Sequence, residues 1–203
     1  MQVHFEVGHD GDSSIGRLLC INADQNVFIY DVALHEKGNR KGHGQQLYLE
    51  KIGSKCLYLD EVIDIKLIKQ DAGHNFAVMC SNNESLKLYN MSTGEVELYL
   101  GHSDIILCLD VFSRDGKTLI VTGSKDNQIR LWSLDASRSF QQRMKCLAVF
   151  KGHTANISGV CFAPKRCKFF TSVSQDNTLK VWKVPEDAWE ADEEYVTQEI
   201  TSA

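Results

Sequence analysis

The sequence predicts an all-β chain, and three observations predict it. A block of about 50 residues occurs twice. Within each copy the apolar runs are short and rich in β-branched residues, well below helix length. Residues suited to tight turns separate these runs. The first copy, Gly101–Trp132, reads GHSDIILCLDVFSRDGKTLIVTGSKDNQIRLW, and the second, Gly152–Trp182, reads GHTANISGVCFAPKRCKFFTSVSQDNTLKVW. Gly-His falls on Gly-His, Ser-x-Asp-Asn on Ser-x-Asp-Asn and Trp on Trp. Trp132 and Trp182 are 50 residues apart, as are Asp126 and Asp176, and His102 and His153 are 51 apart. Self-similarity at a fixed period marks a repeat architecture.

Each copy supplies its strands in order. Ile106, Leu109 and Val111 follow the first His at the offsets at which Ile157, Val160 and Phe162 follow the second, giving a first strand. Ser-Arg-Asp-Gly at 113–116 and Ala-Pro-Lys at 163–165 provide turns. Second strands are expected over Leu119–Gly123 and Phe169–Val173. Asp126-Asn127 and Asp176-Asn177 suit the next turns, because Asn and Asp tolerate left-handed dihedrals and bond their own backbone. Third strands carry Ile129/Leu131 and Leu179/Val181 and end at Trp, and Cys146–Phe150 supplies a fourth strand before Gly-His returns.

Gly-His, an Asp some 23 residues on and a Trp six further resemble the WD40 repeat, which implies four-stranded blades of a β-propeller. The Trp-Asp dipeptide itself is absent: Ser133 and Lys183 follow the two tryptophans. The resemblance implies a hydrogen-bonded tetrad in each copy: His102, Thr122, Asp126 and Trp132, then His153, Ser172, Asp176 and Trp182. Buried together, such groups satisfy one another. His, Asp and a hydroxyl also suggest nucleophilic catalysis. A group that occurs twice at one spacing, with an indole attached and no oxyanion-hole motif, argues against an enzyme.

Two irregular repeats are expected upstream. Residues 1–56 form the first, with strands over Leu18–Ile21 and Val27–Tyr30. Val3, Phe5 and Val7 alternate as a first strand, Asp24 stands in the turn position and Cys20 in the hydroxyl position. Gly8-His9 is too close to Asp24 to serve as the loop pair. The polar stretch 35–56 is expected to be an exposed loop or blade edge, and Lys37, Arg40 and Lys41 in it either touch phosphate or face solvent. Residues 57–100 form the second irregular repeat. Tyr58, Asn83 and Tyr89 stand in its His, Asp and Trp positions, which removes the polar network, and Glu95–Leu100 is its last strand. Residues 101–151 and 152–185 are the two regular repeats. Residues 186–203, rich in Glu and Asp, are expected to be an acidic linker or tail, or else an acidic segment that binds a partner.

Four repeats at roughly 40–45 residues each fall short of the usual ring of about seven. A partial propeller from a longer chain is therefore expected, with a four-bladed ring as the alternative. A net charge of −5 disfavours a nucleic-acid-binding surface. No apolar run approaches the roughly 20 residues a membrane helix needs. Seven cysteines without a Cys-x-x-Cys pair read as reduced core residues, and no metal or cofactor is expected.

LDEVIDIKLI, the irregular SNNESLKLYNMSTGEVELYLGHSDIILCLDVF and ADQNVFIYD resemble the transducin-beta-like 3 family. That resemblance implies a non-catalytic WD-repeat scaffold in the UTP-B part of the small-subunit processome, nucleolar and active in pre-18S rRNA processing. Its implied partners are other WD-repeat and processome proteins and the U3 snoRNA-containing ribonucleoprotein, with indirect RNA contact and no membrane or small-molecule substrate. The alternative is an adaptor presenting substrates to a ubiquitin ligase or signalling complex. In folds of this kind the residue three after the loop His and the one before the turn Asp are exposed, and they either contact partners or stand on the rim without one. Here these are Ile105 and Asn156, then Lys125 and Gln175, with an exposed Ile105 as the candidate anchor.

Overall fold

The computed structural model describes residues 2–7, 14–22, 26–39, 42–56, 61–69, 75–164, 167–189 and 197–202. The chain divides into two compact units, Met1–Asp60 and Glu61–Ala203.

The first unit is one four-stranded antiparallel sheet of sequential hairpins: β1 Gln2–Val7, β2 Ser14–Ile21, β3 Asn26–Asn39 and β4 Gly42–Cys56. Ile21, Ile29 and Val32 are its buried apolar residues among those described. The described residues of 35–56 are strand, as the blade-edge alternative has it, and not loop. The ladder runs from Asn26↔Cys56 through Asn39↔Gly42, and β4 is the edge of the sheet. A long antiparallel ladder satisfies the backbone of a polar segment without needing an apolar face, so polarity alone did not exclude strands. Tyr48, Leu49, Glu50 and Lys51 on β4 are exposed. Lys37 lies on β3, whereas Arg40, Lys41, Asp24, Gly8-His9 and Tyr58 lie outside the described residues.

The second unit has three sheets. Strands β5 Val62–Lys69, β6 Asn75–Ser81, β7 Leu86–Asn90 and β8 Val96–Tyr99 form the first. The second contains β9 Ile106–Arg114, β10 Lys117–Ser124, β11 Ile129–Leu134 and β12 Met144–Lys151. The third contains β13 Ile157–Phe162, β14 Phe169–Ser174 and β15 Leu179–Lys183. Each is antiparallel through these strands. The β9–β10 hairpin turns on Asp115 and Gly116 with φ of 52° and 74°, the doubly left-handed geometry that matches strand twist. Asn127 and Asn177 take φ of 64° and 61° in the next turns, as short polar side chains can.

The middle sheet is buried on both faces. Leu119, Val121, Ile129 and Leu131 pack against Ile157, Phe162, Phe170 and Trp182 of the third sheet. Ile120, Trp132 and Leu134 pack against Phe76, Val78, Leu86 and Leu88 of the first. Phe150 meets Phe170 edge-on at 4.8 Å and Trp182 at 5.4 Å; such pairs add about 0.5–1.5 kcal/mol each beyond their burial. Two carboxylates bond across sheets to backbone amides. Leu109 N donates to Asp64 Oδ2 at 3.0 Å, and Phe162 N donates to Asp110 Oδ2 at 2.8 Å. Buried Glu97 on β8 accepts from the Tyr99 hydroxyl at 2.6 Å, from Gln141 N at 2.6 Å and from the Arg143 guanidinium.

The segment after Pro185 departs from the linker or tail expectation. A 3-10 helix, Glu186–Trp189, buries Ala188 and sets the Trp189 ring edge-on to Phe112 at 5.9 Å and beneath the Arg114 guanidinium at 4.5 Å. Strand β16, Gln198–Thr201, then joins β12 in parallel as a fifth strand, and Ile200 packs on the core. Acidic composition hid these features because Trp189 and Ile200 carry the packing and β12 offers an open edge to any backbone.

Close approach of the second and third sheets requires Gly123. A Cβ there would lie 2.4 Å from Ile157 Cγ2 and 2.8 Å from Cys108 Sγ. Gly123→Val is expected to lower stability by roughly 1–3 kcal/mol or more through overpacking, measured by urea unfolding against wild type.

Candidate functional site

The two Ser-x-Asp-Asn turns organise the polar interior of their sheets. In the first, His102 Nδ1 lies 2.8 Å from Asp126 Oδ2, and His102 Nε2 lies 2.9 Å from Thr122 Oγ1. Trp132 Nε1 donates to Thr122 Oγ1 at 2.9 Å. In the second, His153 Nδ1 to Asp176 Oδ2 is 2.8 Å, His153 Nε2 to Ser172 Oγ is 2.7 Å, and Trp182 Nε1 donates to Ser172 Oγ at 2.8 Å. An indole only donates and a carboxylate only accepts. With a neutral imidazole the protons therefore run one way, from indole to hydroxyl to imidazole to carboxylate. Each relay joins four segments of one sheet: the loop before the first strand, the second strand, the turn and the third strand.

Further groups that sequence reasoning did not assign complete the sites. Ser124 Oγ donates to Ile105 O at 2.9 Å and accepts from Asp126 N at 3.1 Å. Ser174 Oγ likewise donates to Ala155 O at 2.9 Å and accepts from Asp176 N at 3.1 Å. The signal was present, since both serines belong to the repeated motif. Thr178 has no counterpart in the first copy, where Gln128 stands: its hydroxyl donates to Asp176 Oδ1 at 2.6 Å and lies 3.1 Å from His153 Nδ1. The irregular repeat is different. Asn83 Oδ1 accepts from Ser85 N at 3.0 Å and Ser85 Oγ at 2.7 Å, and buried Lys87 Nζ donates to Ser81 Oγ at 2.7 Å.

Burial pushes the Asp126 carboxyl up, but the bonds from His102, Gln128 N and Ser103 N outweigh it and hold the group below the ordinary range. Asp176 is held well below it for the same reason, with Thr178, Thr154 N and His153 overcoming desolvation. The Thr122 and Ser172 hydroxyls are buried inside the relays. Cys80 and Cys108 are buried free thiols, and desolvation raises both, Cys108 to about 12. Among the described residues no group of three or more His, Cys, Asp or Glu could hold a metal ion, and no helix is long and apolar enough to cross a membrane.

The four candidate contact residues fall into two pairs beside the turns. Lys125 N donates to Ile105 O at 2.9 Å; Gln175 N donates to Asn156 O at 2.9 Å, with Asn156 Nδ2 3.3 Å from Gln175 Oε1. The equivalent bond in the preceding sheet joins Asn82 N to Glu61 O at 3.0 Å, which adds a third pair the sequence reading did not include. Lys125 and Gln175 are exposed, Asn156 is half-buried, and Ile105 is half-buried instead of standing clear as an anchor.

The repeated relay, four-stranded sheets and face-to-face packing define a WD40 blade. The family model "WD domain, G-beta repeat" matches residues 94–133 and 144–183. The chain is a WD40-repeat protein. It is 32% identical over 171 residues to Transducin beta-like protein 3 of Bos taurus, covering 84% of this chain and 19% of that protein. It is 30% identical over 169 residues to the Mus musculus protein of the same name, covering 83% of this chain and 18% of the relative. The chain thus spans about a fifth of the length of these relatives. In fold it matches a chain in the crystal structure of the Chaetomium thermophilum polycomb repressive complex 2, with TM-score 0.74 and 18% identity over 98% of this chain and 39% of that one.

His102→Ala is expected to cost ~1–3 kcal/mol by orphaning the buried Thr122 hydroxyl and the Asp126 carboxylate, read as a lowered urea midpoint. Because folding depresses the Asp126 pKa, its contribution is fully present above the unfolded value of about 4 and is lost as pH falls through the lower folded value. Thermal midpoints should therefore drop below about pH 4, and Asp126→Asn should flatten that part of the profile.

Proposed function

We propose that the chain is a non-catalytic scaffold that holds partner proteins together in the small-subunit processome of the nucleolus, supporting maturation of 18S rRNA. The observation that carries this reading is the likeness to transducin beta-like protein 3, combined with the family the sequence resembles. It extends over 171 residues, well beyond the two stretches that match the generic repeat, and so includes irregular repeats that a generic propeller would not share. The relays serve as internal fasteners in this reading. Their hydroxyls are fully engaged and closed to substrate, which suits a rigid blade and leaves no nucleophile to offer. The rigid sheets carry short loops bearing Ile105, Lys125, Asn156 and Gln175, and these loops are the proposed contact points. RNA is met through partner proteins, consistent with the net charge of −5.

Affinity purification of the tagged protein tests the reading. U3 snoRNA and pre-ribosomal proteins are expected in the eluate, and depletion should leave unprocessed 18S precursors. Recovery of ubiquitin-ligase subunits instead, with 18S precursors maturing normally, would establish the adaptor role in its place.

A further inference from the structure

The outer edge of the middle sheet carries a strand that the repeat does not call for. The first and middle sheets of the second unit each contain four consecutive strands, and in each the fourth leads into Gly-His. Counting back from that His, Leu98, Tyr99 and Leu100 correspond to Val149, Phe150 and Lys151. Among the described residues β8 ends its sheet, and Leu98 and Leu100 are 50% and 72% exposed. A blade of this kind therefore packs with its outer edge bare. At β12 the edge is taken. Strand β16 lies along it in parallel, from Ala148↔Gln198 to Lys151↔Thr201, and Val149 is 5% exposed.

The seat is built in detail. Thr197 Oγ1 donates to Cys146 O at 2.8 Å at one end, and Ser202 N donates to Lys151 O at 2.9 Å at the other. Between them Ile200, opposite Phe150 in the ladder, packs on the core, and Glu199 accepts from Lys151 Nζ at 2.8 Å. Gly152 completes the seat: its φ of 147° suits glycine, and a Cβ there would collide with the Ser202 side chain. The occupant itself is lightly held. Ile200 is its apolar anchor, Glu199 and Thr201 are exposed, and the Lys151–Glu199 pair is open to solvent. A short strand with one anchor is marginal, and exposed ion pairs add little.

We propose that the β12 edge is a docking groove for an extended segment of a partner protein, and that β16 is the resident competitor such a segment displaces. A sheet edge binds a guest through main-chain bonds, which give affinity, and through pockets for alternate side chains, which give selectivity. The resident strand states the chemistry of the guest. It needs a hydroxyl side chain toward Cys146 O, an acidic residue toward Lys151, an aliphatic residue in the place of Ile200 and a small residue against Gly152. A second aliphatic residue in the place of Gln198, opposite Ala148, would give a guest one more anchor than β16 has. Being joined to the groove, β16 acts at high effective concentration and holds the edge against weak guests. A second copy supplies only the same strand without that advantage, so a different protein is the favoured occupant. The inference does not rest on the processome assignment.

A dye-labelled peptide spanning residues 196–203 tests this on the full chain by fluorescence anisotropy. The wild-type chain should bind it weakly, because β16 holds the groove. Ile200→Asp in the chain dislodges β16 and should raise peptide affinity at least about tenfold, while the same change in the peptide abolishes binding. A peptide carrying Gln198→Val should bind the wild-type chain more tightly than the natural peptide. Adding Lys151→Glu to the Ile200→Asp chain should weaken the natural peptide by about threefold and favour a Glu199→Lys peptide by a similar factor. Equal affinity of the two chains for the natural peptide, undiminished binding of the Ile200→Asp peptide, no gain from valine, or no charge-swap preference overturns the proposal. So does a concentration-dependent dimer of the wild-type chain that Ile200→Asp abolishes, since the guest is then a second copy. Hydrogen exchange decides the matter even if a variant fails to fold. In the wild-type chain the β16 amides are expected to exchange well before those of β10 and β11, and protection equal to theirs overturns a displaceable strand.

Discussion

A buried imidazole has two ring nitrogens, and each left without a partner costs more free energy than the bond it would have made. That constraint shapes the regular blades. His102 meets it with Asp126 and Thr122, and His153 with Asp176 and Ser172. Each solution requires the loop before the first strand to lie against the turn between the second and third. The turn serine then closes the arrangement by bonding back to that loop. The position of the exposed loops follows from a polar network that is itself out of sight. The irregular repeat shows what happens without it. Asn83 turns inward to Ser85, and a buried lysine caps Ser81.

The second constraint is that a sheet with two apolar faces needs neighbours on both. The middle sheet of the second unit has them. Ile129 and Leu131 are 0% exposed beneath the third sheet. The equivalent residues of the third sheet, Leu179 and Val181, are each 63% exposed. The contrast extends to size. Gly123 sits where Ile157 and Cys108 press against the backbone, and its counterpart Val173 stands exposed. Carboxylates reinforce the packed faces. Asp64, Asp110 and Glu97 each bond across to the next sheet or its loop. Such bonds have direction, so they set register where apolar contact alone permits sliding.

Much of this was legible in residue order. Strand positions, turn residues and both sets of relay residues follow from a block that repeats at one spacing, because each occurrence tests the other. The parts that escaped lack that second copy. The 35–56 stretch is mostly polar, and its pairing comes from backbone groups common to every residue. The tail looked like a solvated acidic run, although a single Trp and a single Ile dock it. Thr178 was invisible because its counterpart is Gln128, so comparing the copies gave no hint of a bond.

Sequence by itself determined the class of fold, the repeat unit and the chemistry of the relays. These depend on periodicity and on which atoms can donate or accept, and both are local properties of residue type. Tertiary structure decided which faces are covered, where the last strand pairs, and that Phe112, Arg114 and Lys117 hold Trp189. Those outcomes join residues as far as 72 positions apart, and they depend on which open edge or unfilled surface lies within reach once the sheets have packed.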